Sequence, residues 1–284
     1  MAIHDKALLV SMSLGMPPQS KTLKGESEAI ERIHRTEQNQ ATVVTKLFAK
    51  ADVKGLQRVA SQSRQWFKER TLPYGRSQGL VPVKRYFDFL QEAGELRLQF
   101  NMEKQAILDN IEDVLKRAQA ANGTLFDAAN YPSLAELNNS IYFSLECHPV
   151  PATNDYDKLA DLSPEEIEFL KNEAVLNNQT KMEAAVKDLF GRLIRGLAHA
   201  ADRLQDDDKG KMIFRDTLIT NIHKAVEAAE TLNIGDDETL KAMTDSVKEV
   251  FNGITADELR RDSKLRKATA DKAAELASKM SELF

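Results

Sequence analysis

The sequence predicts a mostly α-helical fold. It reads as a long antiparallel helical hairpin with a small two-stranded antiparallel β element, followed by a helical C-terminal region. Three observations carry this expectation. Apolar residues recur at helical spacing on both sides of a Gly/Pro-bearing stretch, TLPYGRSQGLVP at 71–82. Two short segments that end near prolines read as strands. From residue 163 onward, capping signals and apolar stripes repeat with no strand-like alternation.

The elements follow in chain order. ALLVSMSL, residues 7–14, is apolar and β-tolerant, and Pro17 and Pro18 end it because they lack amide hydrogens. From Glu26 to Arg70 the pattern reads as helix, with Ile30, Ile33, Val44, Leu47, Phe48 and Ala51 on its apolar face and the polar run HRTEQNQ between them. Pro73 disfavours the helical conformation at Leu72 and ends that run. Residues 83–120 resume it through Phe87, Leu90, Leu96, Phe100, Ile107, Ile111, Val114 and Leu115. Two long helices joined by a short Gly/Pro link predict a hairpin with 71–82 at its far end, coiled-coil-like though imperfect in heptads.

Ser133 and Glu136 form a capping-box pattern for a short helix. Ile141, Phe143 and Leu145 then alternate with Tyr142, Ser144 and Glu146, a period of two that predicts a strand. An isolated strand leaves backbone groups unsatisfied, so the two strands are expected to pair and close the base of the hairpin. Ser163, Pro164 and Glu166 start a helix that reaches Leu204. Further helices are expected at 211–232, 237–251 and 256–283, the last opened by Thr255 and Glu258. The pattern divides the chain into a strand-plus-hairpin domain, 1–153, and a C-terminal helical region, 154–284.

Composition excludes several functions. One cysteine, Cys147, rules out an internal disulfide and a cysteine metal site. No run of 18 apolar residues exists, so no membrane span is expected and a cytoplasmic setting fits. No two of the five histidines lie three or four residues apart, and no phosphate-loop spacing occurs. Cys147 and His148 are neighbours, but adjacent strand residues point to opposite faces, so an ordinary thiol is the expectation. Asp206, Asp207 and Asp208 read as a solvated turn, and Asp236 and Asp237 as helix caps. No enzyme activity, cofactor or metal is expected.

Charge is unevenly distributed. The chain carries a net charge of -5, yet Lys54, Arg58, Arg64, Lys68, Arg70, Arg76, Lys84 and Arg85 face only Glu69 between 54 and 85. Arg64 and Lys68, four apart, share a helix face, and Trp66 and Tyr74 lie within the zone. The expected binding residues are therefore Arg64, Lys68, Arg70, Tyr74, Arg76, Lys84 and Arg85. They suit an acidic protein or a nucleic-acid backbone, and equally a basic end that is only solvated or paired within the chain.

LPYG…GLVP (Leu72, Pro73, Leu80, Val81, Pro82), then Tyr131, Pro132 and Ser133, then Phe143 and Pro149 to Pro151 resemble a phage and bacterial family, DUF3150, over roughly residues 5–200. The resemblance implies an accessory role beside a MoxR-like AAA+ ATPase and von Willebrand A-type proteins, and it carries over no active site. The expected function is a non-enzymatic, phage-encoded helical adaptor or assembly protein with a protein partner. The alternatives are a nucleic-acid-associated accessory protein and a virion component, and self-association stays open.

Overall fold

The computed structural model describes residues 3–75, 77–159, 161–205 and 214–283. Arg76 and the run Asp206–Asp207–Asp208 lie outside the described residues. The fold is predominantly helical, with a small antiparallel β element and an extended helical C-terminal region.

The chain forms two compact units, each assembled from separate stretches. The first comprises 1–11, 68–89 and 147–284, and the second 12–67 and 90–146. A boundary at 153/154 falls inside the first unit.

In the first unit, helix α1 (Ile3–Lys6) leads into strand β1 (Ala7–Leu14). The stretch 71–82 is not a free hairpin tip. It folds as β4 (Leu72–Pro73) and β5 (Gln78–Pro82), and β5 pairs antiparallel with β1, with Ala7 opposite Pro82 and Ser11 opposite Gln78. The physical reason is burial. Leu72, Leu80 and Val81 are at most 1% exposed, and the Gly79 backbone lies under the Thr71 side chain, where a Cβ would come within 2.5 Å. Strand β6 (Phe143–Pro149) lies on the other side of β1, giving the sheet order β4-β5-β1-β6, so the expected pair of strands grows to four.

The C-terminal helices of this unit follow the sequence, except that the helix expected from 211 is helical only from Thr217, residues 211–213 lying outside the described residues. Ser163 and Glu166 form the capping box of α7 (Pro164–Leu204). The helices α8 (Thr217–Thr231), α9 (Glu238–Phe251), α10 (Ala256–Arg261) and α11 (Ser263–Ser281) come next. The helix expected at 256–283 is two helices. Asp262 turns the chain in extended conformation and caps α11 by accepting from the Lys264 and Leu265 amides. Asp237 caps α9, whereas Asp236 pairs with Lys6 at 2.6 Å. Leu189, Phe190, Leu193 and Leu197 of α7 form the centre of the core with Leu72 and Leu80 of the sheet.

The second unit corrects the single helix expected from Glu26 to Arg70. Helix α2 (Lys24–His34) ends at Arg35, whose φ of 54° is left-handed. The chain returns through Asn39, also left-handed, to β3 (Val44–Lys46), which pairs with β2 (Ser20–Thr22). Helix α3 (Lys50–Arg70) starts only after that. Polar side chains make the turn. Ser27 Oγ accepts the Val43 amide at 2.9 Å, and a Glu31 carboxylate oxygen accepts the Ala41 amide at 3.1 Å. Ile33 and Val44, expected on a buried face, are 75% and 52% exposed, while Leu47 and Phe48 enter the core.

Helix α3 packs antiparallel to α4 (Tyr86–Asp109), as expected: Trp66 Nε1 donates to Glu92 at 2.6 Å and Arg58 to Glu103 at 3.2 Å. The run 83–120 breaks at Asn110, where α5 (Ile111–Asn122) begins. Helix α6 (Leu134–Ser140) opens on the Ser133–Glu136 capping box. Phe100, Ile107, Val114, Leu137 and Ile141 fill this core with Leu56 and Val59 of α3.

Candidate partner-binding surface

Three of the seven residues expected to bind a partner, Arg70, Tyr74 and Arg85, are engaged within their own unit. Arg70 donates to Glu227 of α8 at 2.8 Å, and Arg85 pairs with Asp88 at 3.1 Å. Tyr74 sits half-buried with its hydroxyl 3.4 Å from Asn178 and the Lys181 ammonium 5.7 Å over its ring. Burial, then the nearby Tyr156, pushes its hydroxyl above the ordinary 10.0. The Lys6 hydrogen bond and charge hold the Asp236 carboxyl below its usual range, with Lys241 and Lys84 adding to the effect. Arg64 and Lys68 are exposed on α3 and form no ion pair among the described residues. The turn between β4 and β5 is closed by the Tyr74 amide, which donates to the Gln78 carbonyl at 3.2 Å.

Cys147 is half-buried, and its hydrogen bond to Tyr86 raises the Tyr86 hydroxyl pKa. No group of three or more His, Cys, Asp or Glu side chains is placed to hold a metal among the described residues. No described helix is long and apolar enough to cross a membrane.

Two helix faces stand out instead, the basic one read in part from the sequence and the apolar one not. Helix α3 buries Val53, Leu56, Val59, Ala60 and Ser63, which turns Lys50, Lys54, Arg58, Ser61, Gln65 and Lys68 outward, with Arg64 at the edge of that face. Its acids point elsewhere. Asp52 is 7% exposed and bonded to Arg117, and Glu69 lies 3.8 Å from Lys224. The four-residue spacing was read at Arg64 and Lys68, and its extension through Lys50, Lys54 and Arg58 follows from the start of α3 at Lys50.

Helix α4 is apolar on two sides. Phe89, Ala93, Phe100 and Ile107 are buried, while Phe87 is 81%, Leu98 64% and Met102 65% exposed. Leu90, Gly94, Leu98 and Met102 recur every fourth residue and form one ridge. A Cβ built on Gly94 meets nothing within 4 Å, which leaves a notch midway along it. Gln91, Asn101 and Gln105 border the ridge together with one exposed acid, Glu95, three residues before Leu98. Phe87 and Leu90 were expected on the packed face. They lie on this outer one, because Phe89, Ala93 and Phe100 supply the inner contacts.

Compared with known proteins, the chain matches no family model, no curated protein and no solved structure.

Proposed function

We propose that the protein is a non-enzymatic helical adaptor or assembly protein that acts by docking a protein partner. One observation carries the reading: α4 is apolar on both sides, and one side is open at Leu98 and Met102, each about two-thirds exposed. A second apolar face on a helix is normally covered as the first is, since solvated apolar area costs about 25 cal/mol per Å². The Gly94 notch lets a partner backbone approach closely, and the ridge residues Leu90, Leu98 and Met102 are themselves apolar. The resemblance to DUF3150 supports a phage-encoded chain with an AAA+ ATPase as that partner.

The test is light scattering and affinity capture from host cells with the wild-type chain and with Leu98→Glu/Met102→Glu. The reading expects a stoichiometric partner held by the wild type and lost in the variant, with unchanged helix content. A wild-type chain that stays monomeric and captures nothing the variant does not also capture would end it.

A further inference from the structure

We infer that the outward face of α3 is a binding surface for the phosphate backbone of a nucleic acid, formed by Lys50, Lys54, Arg58, Arg64 and Lys68. This surface is separate from the apolar ridge of α4 and stands whether or not that ridge docks a protein.

Three observations carry it. First, the cations are uncompensated. Among the described residues only Arg58 of the five forms an ion pair, with Glu103, and Arg58 remains 66% exposed beside it. In a chain of net charge -5 this is a local reversal of sign. Second, the helix is destabilised by holding them. Lys50–Lys54, Lys54–Arg58 and Arg64–Lys68 are like-charge pairs four residues apart, each unfavourable by about 0.2–0.5 kcal/mol. Lys50 and Lys54 also stand in the first turns, where the helix dipole already contributes positive potential. A face that served only solubility would gain from mixed signs. Third, the spacing suits a polyanion. Five cations lie along about 27 Å of helix at 1.5 Å per residue, with Ser61 and Gln62 between them as neutral polar groups. A backbone of regularly spaced phosphates presents charge along that same length.

The structure also supplies a variant that should gain function. The Glu103 carboxylate lies over Gly55, within 1.9 Å of where a Cβ would stand, and is the acid that reaches this face. Its removal leaves the five cations in place and frees Arg58.

The experiment is fluorescence anisotropy of the full chain with a labelled random-sequence DNA duplex of about 20 base pairs, over roughly 50 to 200 mM salt. The expected result is sequence-independent binding that weakens with salt, with a slope of about -0.9 per phosphate contacted. Lys54→Glu/Arg58→Glu and Arg64→Glu/Lys68→Glu should each weaken it about tenfold or more and flatten the slope by about two. Glu103→Gln should tighten it several-fold, an outcome that misfolding does not mimic. Lys264→Glu/Lys267→Glu on α11 should leave it unchanged. Absence of binding at the lowest salt overturns the proposal, as does equal loss in the α11 variant. Binding of polyglutamate without binding of the duplex assigns the face to an acidic protein and likewise overturns it.

Discussion

Arg192 donates to the Thr71 carbonyl at 2.8 Å, so a side chain of α7 holds the end of α3 from across the chain. The same guanidinium donates to the Glu69 carbonyl at 3.0 Å and to Asp188 at 2.7 Å, and only 13% of the side chain is exposed. The last carbonyls of a helix have no partner within it, and a guanidinium fork satisfies two at once while complementing the dipole. Arg192→Ala should lower stability by about 2–4 kcal/mol, because each charge-assisted bond contributes about 1.5–3 kcal/mol and the carbonyls are left unpaired. Arg192→Lys should recover less than half, since an ammonium cannot reproduce the fork. Urea denaturation followed by circular dichroism measures both.

Two glycines should respond oppositely to alanine. A Cβ on Gly15 would stand 2.3 Å from the Ser140 carbonyl oxygen and 2.4 Å from the Tyr142 ring. Backbone cannot yield there as a flexible side chain can, and the Gly15 amide is already bonded to the Tyr142 carbonyl at 2.8 Å. Gly15→Ala should cost about 1–3 kcal/mol. Gly94→Ala meets nothing within 4 Å and should raise stability by up to about 1 kcal/mol through helix propensity. Thermal melts of the two variants side by side check the contrast.

The two faces of α4 should separate in the same way. Phe100 is fully buried, and Phe100→Ala should cost about 3–5 kcal/mol. Leu98 is 64% exposed, and Leu98→Ala should change the stability of the isolated chain by less than about 0.5 kcal/mol. A large loss at Leu98 in the free protein would mean that the ridge is already covered.

Acid should act on the helix starts. Hydrogen bonds from Ser133 hold Glu136 below the ordinary 4.5, those from Ser163 do the same for Glu166, and those from Thr255 for Glu258. A carboxylate whose folded pKa is depressed adds stability that is complete above its unfolded pKa and is lost as pH falls through the folded one. Melting temperature should therefore hold from neutral pH to about 5 and fall below about 4.5. The triple variant Glu136→Gln/Glu166→Gln/Glu258→Gln should melt lower at neutral pH and show a shallower acid slope, measured by calorimetry across pH.

The sequence was most legible where a local signal decided the outcome. Ser133, Ser163 and Thr255 with their glutamates marked helix starts because a capping box is satisfied within four residues. The C-terminus of α7 at Leu204 was also readable from its apolar stripe. The failures came where distant residues decided. Val44 and Leu47 matched a helical period with Ile33, but Ser27 and Glu31 bind the returning chain at Val43 and Ala41, which no periodicity records. The 71–82 stretch looked like a tip because its Pro and Gly residues are turn formers, yet its partner strand lies some seventy residues earlier, at Ala7–Ser11. The surface followed the same rule. The cations were visible, but whether Arg70 meets water or Glu227 depends on a helix more than 150 residues away.

The first unit is built from both early and late sequence. Its stretches 1–11 and 68–89 are made well before 147–284, while 12–67 and 90–146 complete the second unit on their own. At a translation rate of about 5–20 residues per second, roughly six to twenty-four seconds separate the synthesis of β5 from that of the last residues of α7. During that interval Leu72, Leu80 and Leu9 have no α7 to cover them, and an unsheltered strand edge invites pairing with another nascent chain. The newborn protein therefore spends its most aggregation-prone moments half assembled, and slowing the ribosome between residues 90 and 146 would lengthen that exposure rather than relieve it.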